Sequence, residues 1–424
     1  MLSAPERSPD PLMPTLALVW LFLALALWQI QVPSIAYFDE VHYLPAARSM
    51  LEGGVWLNSE HPPLGKIILA IGIALFGDTP LGWRIFPALF SGLALFAFSR
   101  ALWEASRSRF ATLAYTWLLG TGFFLLVHAR IAMLDGIMVG FFAVALWQCA
   151  RAVRAPEEGR KRLIIAGLAL GAAMATKWNA APLAVVPGLT FFVVRLMAGR
   201  RRLLLSRRGG PVPGVSLLEA ALWLGLLPLA VYAASFAPLL WASENPFGDR
   251  GLVAIQAMML EMQQSVKEPH NYQSTWHQWL LNLRGIWYLY EEVDGAQRGV
   301  LLIGNPLTML VGLAAVLWTG WAAVRHKRMD ALAVYLLFIL SLGFWIFAAK
   351  PIQFYYHYFL PSCFLLAALA LALDELRDRG WPKVSYGVLV ASAALFAFFF
   401  PILTAMRLKA SGSFLTWAWI DGWR

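Results

Sequence analysis

The sequence predicts an all-α polytopic membrane protein of about eleven transmembrane helices, and three observations point there. The 424 residues are 60% hydrophobic and only 14% charged, with a mean hydropathy of +0.63. A water-soluble domain of this length does not bury that much apolar surface. Apolar runs of roughly 20 residues, the length a helix needs to cross a bilayer, recur along the whole chain. The 20 tryptophans are what a protein with many helix ends at headgroup level requires.

Taken in order, the runs lie near 12–31, 81–103, 109–127, 131–150, 163–176, 180–198, 217–240, 300–324, 331–348, 354–373 and 384–405. The run at 163–176 is the shortest. A further apolar segment, Ile67 to Phe76, is too short to span and reads as a helix lying at the interface or re-entering the membrane. No cleavable signal peptide is evident, because the first run lacks a small-residue cleavage site. Cys149 and Cys363 sit inside apolar runs and read as small buried residues rather than as a disulfide or metal pair.

Charge sets the orientation. With the N-terminus in the cytoplasm, five basic groups fall on the inner side. They are Arg100/Arg107/Arg109, Arg151/Arg154/Arg160/Lys161/Arg162, Arg200/Arg201/Arg202/Arg207/Arg208, Arg325/Lys327/Arg328 and Arg377/Arg379/Lys383, which is 19 of the 34 Lys and Arg residues. The C-terminus then lies outside. The net charge of +10 is therefore a topology signal, and no nucleic-acid partner is expected.

Two long segments face outward, 32–80 and 241–299, and the polar chemistry collects on that side. Asp39, Glu40, His42, His61, Lys66, Arg84, His128, Arg130, Asp135, Lys177, His270, Arg284, Lys350 and His357 all fall there, with six of the seven histidines. Ionisable groups near hydrocarbon are costly unless they are paired or face a wet cavity, so the pattern predicts a polar pocket open to the outside.

Within FDEVHY, the carboxylates Asp39 and Glu40 read either as a solvated loop or as general-base chemistry, since desolvation against an apolar frame raises a carboxyl pKa. In HPPLGK, two prolines start a helix whose first turn presents Lys66 to an anion or lets it snorkel. Arg84 and Arg130 suit bidentate phosphate binding. Asp135 reads as well as half of a buried ion pair, although Arg130, five residues before it, is poorly spaced for that. Lys177 and Lys350 either add to the positive field or anchor helix ends. The aromatic segment HNYQSTWHQWLLNLRGIWYLY reads as an amphipathic surface helix with Trp279, Leu280, Leu283 and Trp287 on its apolar side, or as a lid carrying His270, Tyr272 and Arg284. There is no Walker loop, dinucleotide fingerprint, HExxH or DxD pair, which disfavours a nucleotide-sugar or ATP enzyme and fits a substrate whose phosphate rides on a lipid.

These motifs, in order, resemble the protein O-mannosyltransferase family. FDEVHY, HPPLGK and WRIFPALFSG are similar to its first outer loop and second span. HARIAMLD and ATKWNA resemble its third to fifth spans, while HNYQSTWHQWLLNLRGIWY, GNP (304–306) and YYHYFLP (355–361) resemble its second large loop and late spans. The resemblance implies a single GT-C membrane domain over 1–424, without the MIR domain that eukaryotic members insert in the second loop. It implies inverting transfer of mannose from polyprenyl-phosphate-mannose to Ser or Thr of exported proteins. The implied setting is the outer face of a bacterial inner membrane, with membrane lipids around the chain and a secretion channel as a possible neighbour.

Under this resemblance Asp39 is the base and Glu40 organises the acceptor side. Arg84 and Arg130 help form the donor pocket, with Lys66 in the matching loop position. From the outer-face cluster itself, Lys350 is a further candidate for the donor phosphate and sugar, and His61, His270, Tyr272, Arg284 and His357 are candidates for the acceptor or lid. No metal or other cofactor is implied. Gly285 stands where the family usually has Pro, and the segment before His270 lacks a usual Tyr-His. A GT-C transferase moving another sugar, aminoarabinose-like, to a lipid is the nearest alternative, and a transporter of lipid-linked sugars is the next.

Overall fold

The computed structural model describes residues 9–199, 203–265, 267–348 and 350–424. Arg200, Arg201 and Arg202 of the third basic group lie outside the described residues. Each of the eleven apolar runs contains helix, and among the described residues eight helical stretches are long and apolar enough to cross a membrane. The helices over the runs at 12–31, 109–127 and 163–176 are not among the eight.

The first half comprises α1 (Leu12–Leu27), α2 (Glu40–Leu51), α3 (Leu64–Phe76), α4 (Pro80–Ser106), α5 (Arg109–Gly120), α6 (Phe124–Ala129), α7 (Leu134–Arg154) and α8 (Gly159–Thr176). Helix α4 starts on Pro80, where a missing N–H costs nothing. The run at 109–127 breaks between α5 and α6, where Phe123 takes φ +79°. Helices α4, α7 and α8 form the centre of the bundle. Close helix approach needs glycine there: a Cβ on Gly167 would sit 1.9 Å from the Trp223 carbonyl oxygen.

The chain continues through α9 (Ala181–Ala184), α10 (Val186–Met197), α11 (Leu217–Ala221), a π-helical turn at Leu222–Leu226 and α12 (Leu227–Ala234). The second long outer segment holds α13 (Leu252–Ser265) and α14 (Trp276–Leu280). Then come α15 (Pro306–Arg325), α16 (Met329–Phe347), α17 (Phe359–Asp378) and α18 (Pro382–Leu403). Helix α17 is almost wholly buried, so its apolar residues need no polar face.

Between α14 and α15 the expectation of one amphipathic helix fails. Trp279 and Leu280 are helical, but Trp287 lies on β1 (Ile286–Val293), which pairs antiparallel with β2 (Ala296–Leu302). The turn is Asp294-Gly295 with φ +52° and +67°, the doubly positive pair of a type I′ hairpin. The span expected from 300 therefore begins at Pro306, and among the described residues one hairpin stands in an otherwise mainly helical fold.

The basic end of the bundle is tied by partly exposed ion pairs. Arg100 meets Asp10 at 2.5 Å, Arg107 and Arg151 share Glu104, and Arg328 reaches Asp330 and Glu375. The opposite end carries the two long segments and the site.

Candidate functional site

The chain leaving α1 is held by two buried arginines. Arg130 donates to the carbonyls of Ala26, Trp28, Gln29 and Thr404, so a cation caps carbonyls that the end of α1 leaves unpaired. Arg84 places all five N–H groups. Two go to Glu40 as a bidentate pair at 2.8 Å, and three go to the carbonyls of Ile30, Pro33 and Ile35. Glu40 also accepts from the backbone N–H groups of Ala132 and Tyr37. Both partners of this ion pair are 0% exposed.

These contacts correct two expectations. Arg84 has no N–H left for a phosphate, and the Arg130 guanidinium is turned to backbone carbonyls. Lys66 is spent likewise: buried at the start of α3, its ammonium donates to the carbonyls of Leu57, Asn58 and His61. Burial pushes its pKa down to about 7. The three cations build the loops on which the site rests. Glu40 belongs with them and not with an open acceptor site.

Asp39 differs. It stands at the start of α2 but does not cap it, since its side chain accepts no bond from the helix backbone. Among the described residues, its carboxylate accepts one hydrogen bond, from the Tyr43 hydroxyl at 3.4 Å. Burial raises its pKa, and Asp135 raises it further, while Lys177, His42 and Lys350 draw it back down. The residue before it, Phe38, holds φ +51°, a left-handed conformation that costs a non-glycine residue roughly 1–2 kcal/mol. That turn sends Glu40 inward and leaves Asp39 facing the cations.

Those cations are Lys177 and Lys350. Lys177 pairs with Asp135 at 2.6 Å, both buried, with its ammonium 4.9 Å from the Tyr356 ring centre. Asp135 is thus half of an ion pair, but its partner is Lys177 and not Arg130. Lys350 makes no ion pair among the described residues, and burial and Lys177 push its pKa down to about 8. Beside the Lys177–Asp135 pair a narrow crevice of about 10 Å³ is lined by Asp135, Asn179, Ser341, Tyr356 and His357. His357 accepts the Phe354 N–H at Nδ1, which leaves Nε2 as the protonated nitrogen. Among the described residues Nε2 is buried without a partner, as is Nδ1 of His61. A buried donor without an acceptor is costly, and an anion oxygen in this crevice would satisfy it.

His270, Tyr272 and Arg284 sit apart from this centre, on an exposed rim. Tyr272 N–H donates to His270 Nδ1, Arg284 to the Asn271 carbonyl, and the His270 ring stands edge-on to Phe354 at 5.1 Å. Phe354 stacks on Tyr356, so the rim touches the site through one aromatic layer. Sequence reasoning passed over Tyr43, Tyr288 and Tyr356, because a tyrosine in an aromatic-rich membrane protein carries no signal of its own. The Asp-Gly dipeptide could have revealed the hairpin that brings Tyr288 in.

Residues 60–223 match the family model described as dolichyl-phosphate-mannose-protein mannosyltransferase. Residues 250–423 match that of the C-terminal four-span region of protein-O-mannosyltransferase. The chain is 28% identical to a polyprenol-phosphate-mannose–protein mannosyltransferase of Mycolicibacterium smegmatis, over 91% of this chain and 87% of that one. It is 26% identical to the Corynebacterium glutamicum protein of the same name, over 81% and 78%. Its fold is similar to that in the Saccharomyces cerevisiae Pmt1–Pmt2 complex bound to the sugar donor, with TM-score 0.83 at 15% identity over 100% of this chain and 93% of that one. ArnT of Cupriavidus metallidurans follows at 0.58 and 20% identity, over 96% and 68%. Between them the two family models span most of the chain, which belongs to the protein O-mannosyltransferase family.

Proposed function

We propose that this integral membrane protein transfers mannose from polyprenyl-phosphate-mannose to Ser or Thr hydroxyls of exported proteins. The observation that carries the reading is the contrast at residues 39 and 40: one carboxylate is locked in structure, and its neighbour accepts one long bond from Tyr43 and is desolvated within the field of Lys177 and Lys350. Asp39 removes the proton from the acceptor hydroxyl as that oxygen attacks the anomeric carbon. The bond from that carbon to the phosphate oxygen breaks on the opposite face, inverting configuration. The carboxylate also stabilises the oxocarbenium-like charge of such a displacement.

The donor phosphodiester gains negative charge as the lipid phosphate leaves. Lys350, Lys177 and the Nε2–H of His357 are the donors positioned to take it up. This electrostatic role supports transfer without a metal cofactor. A route for the lipid tail is supported by an apolar groove of about 340 Å³, one turn from the crevice along α16 from Ser341 to Leu337 and along α17 from Leu360 to Phe364. Val186, Phe191 and Val334 also line it.

The basic groups at the far end of the bundle support an N-terminus in the cytoplasm of a bacterium and a site on the outer face of the inner membrane. An acceptor leaving a secretion channel would meet the site there. The test is purified protein with labelled polyprenyl-phosphate-mannose, a Ser/Thr peptide, a lipid acceptor and EDTA. Labelled peptide in the presence of EDTA is expected. Label appearing only in lipid would overturn the acceptor, and loss of transfer with EDTA would overturn the metal-free mechanism.

A further inference from the structure

The second outer segment reaches the base through a stack of rings. Tyr288, on β1, lies face to face with Phe38 at 4.1 Å and 21°, and Tyr356 meets Phe38 edge-on at 6.2 Å. The Tyr288 hydroxyl is 3.3 Å from Nε2 of His128, whose Nδ1 is 2.8 Å from the Phe124 carbonyl. The carbonyl only accepts, so Nδ1 carries the proton and Nε2 accepts from Tyr288. His128 is 0% exposed and its ring stacks on Phe359 at 4.5 Å, which leaves Tyr288 an anchor with little freedom. Phe38, by contrast, holds a left-handed backbone that its own chain does not favour.

We propose that Tyr288 is a positioning residue for the transfer reaction: anchored by His128, it clamps Phe38 in its left-handed turn and so aims the Asp39 carboxylate. The proposal rests on the reading of Asp39 as the base. It makes the β1–β2 hairpin part of the machinery, although neither strand supplies a group to the reacting atoms. Slack in Phe38 would move Asp39 relative to its neighbours Tyr43, His42, Asp135, Lys177 and Lys350 and admit water beside it. A misplacement of about 1 Å costs on the order of 100-fold in rate.

The experiment compares Tyr288→Leu, Tyr288→Phe, Phe38→Gly and the Tyr288→Leu/Phe38→Gly double variant, with Asp39→Asn as reference. Each is measured for kcat, KM of donor and acceptor, pH profile and thermal unfolding. Tyr288→Leu is expected to lower kcat about 10- to 100-fold with donor KM unchanged. The acid limb should move to lower pH as Asp39 becomes solvated. Phe38→Gly, which suits the backbone but lacks the ring, should lose as much, and the double variant no more than the worse single. Tyr288→Phe keeps the ring and should lose only a few-fold.

Wild-type kcat in Tyr288→Leu, additive losses, or an unmoved acid limb would overturn the clamp. Should Tyr288→Leu fail to fold, Tyr288→Phe combined with Phe38→Gly decides by the same non-additivity. An active Asp39→Asn instead overturns the base itself, so the two failures are told apart.

Discussion

Around Glu40 both carboxylate oxygens are fully engaged, by Arg84 and by the N–H groups of Ala132 and Tyr37, whereas one residue earlier Asp39 accepts a single long bond from Tyr43. The two neighbourhoods share a peptide bond, a charge and an apolar frame. They differ in what surrounds the charge: a closed lattice of donors for one, a tyrosine hydroxyl and the field of Lys177 and Lys350 for the other. A carboxylate with every lone pair satisfied holds structure. One left desolvated and under-bonded retains the basicity to take a proton.

That contrast breaks most visibly on the structural side. Glu40→Ala leaves the Arg84 guanidinium buried without its counter-charge, which costs about 3–5 kcal/mol. Chemical or thermal unfolding in detergent should show that loss, with transfer falling in step with the folded fraction. A Glu40→Ala protein of wild-type stability would contradict the assignment.

On the open side, under the proposed reading Lys350→Ala removes a cation from the donor phosphate, and a charge-assisted hydrogen bond is worth about 1.5–3 kcal/mol, or roughly 10- to 100-fold. The increase should appear in donor KM, with acceptor KM little changed. An effect confined to the acceptor would move Lys350 to the other subsite.

The pH profile sharpens the same comparison. Asp39 must be ionised to act and its pKa is raised, so the rate should climb with pH through a limb above the ordinary aspartate range. Lys350 must be protonated, and with its pKa pushed down to about 8, donor binding should weaken as pH rises past that point. Lys350→Arg, which stays charged, should remove the alkaline fall. The smallest effect expected is at the hairpin tip, where Asp294 accepts from the N–H and hydroxyl of Ser34. Asp294→Ala should cost about 1 kcal/mol of stability, read by thermal unfolding, because the contact is exposed.

Much of this molecule was legible in its sequence. Hydropathy located a helix in every apolar run, since in a bilayer the backbone must satisfy itself and helix is the simplest solution. The ordered motifs led to the right family and to the loop that carries Asp39. The roles of Arg84, Arg130 and Lys66 were not legible. A cation in apolar sequence looks the same whether it faces a phosphate or the carbonyls of a distant loop, and Arg84 lies more than 40 positions from all of its partners. The Lys177–Asp135 pair, 42 positions apart, was hidden for the same reason. The hairpin was missed differently: IWYLY was read as the end of an amphipathic helix or lid and residues from 300 as a span, while the Asp-Gly turn between them and the β-branched, aromatic strands obey the other period.

The division of labour at residues 39 and 40 is tested most directly by Asp39→Asn, which keeps the shape and removes the base. The measurement is peptide mannosylation beside thermal unfolding of the same preparation. The account predicts an unfolding temperature like the wild type and transfer reduced by about 10²- to 10⁴-fold. Transfer near the wild-type rate in a folded Asp39→Asn protein would contradict it.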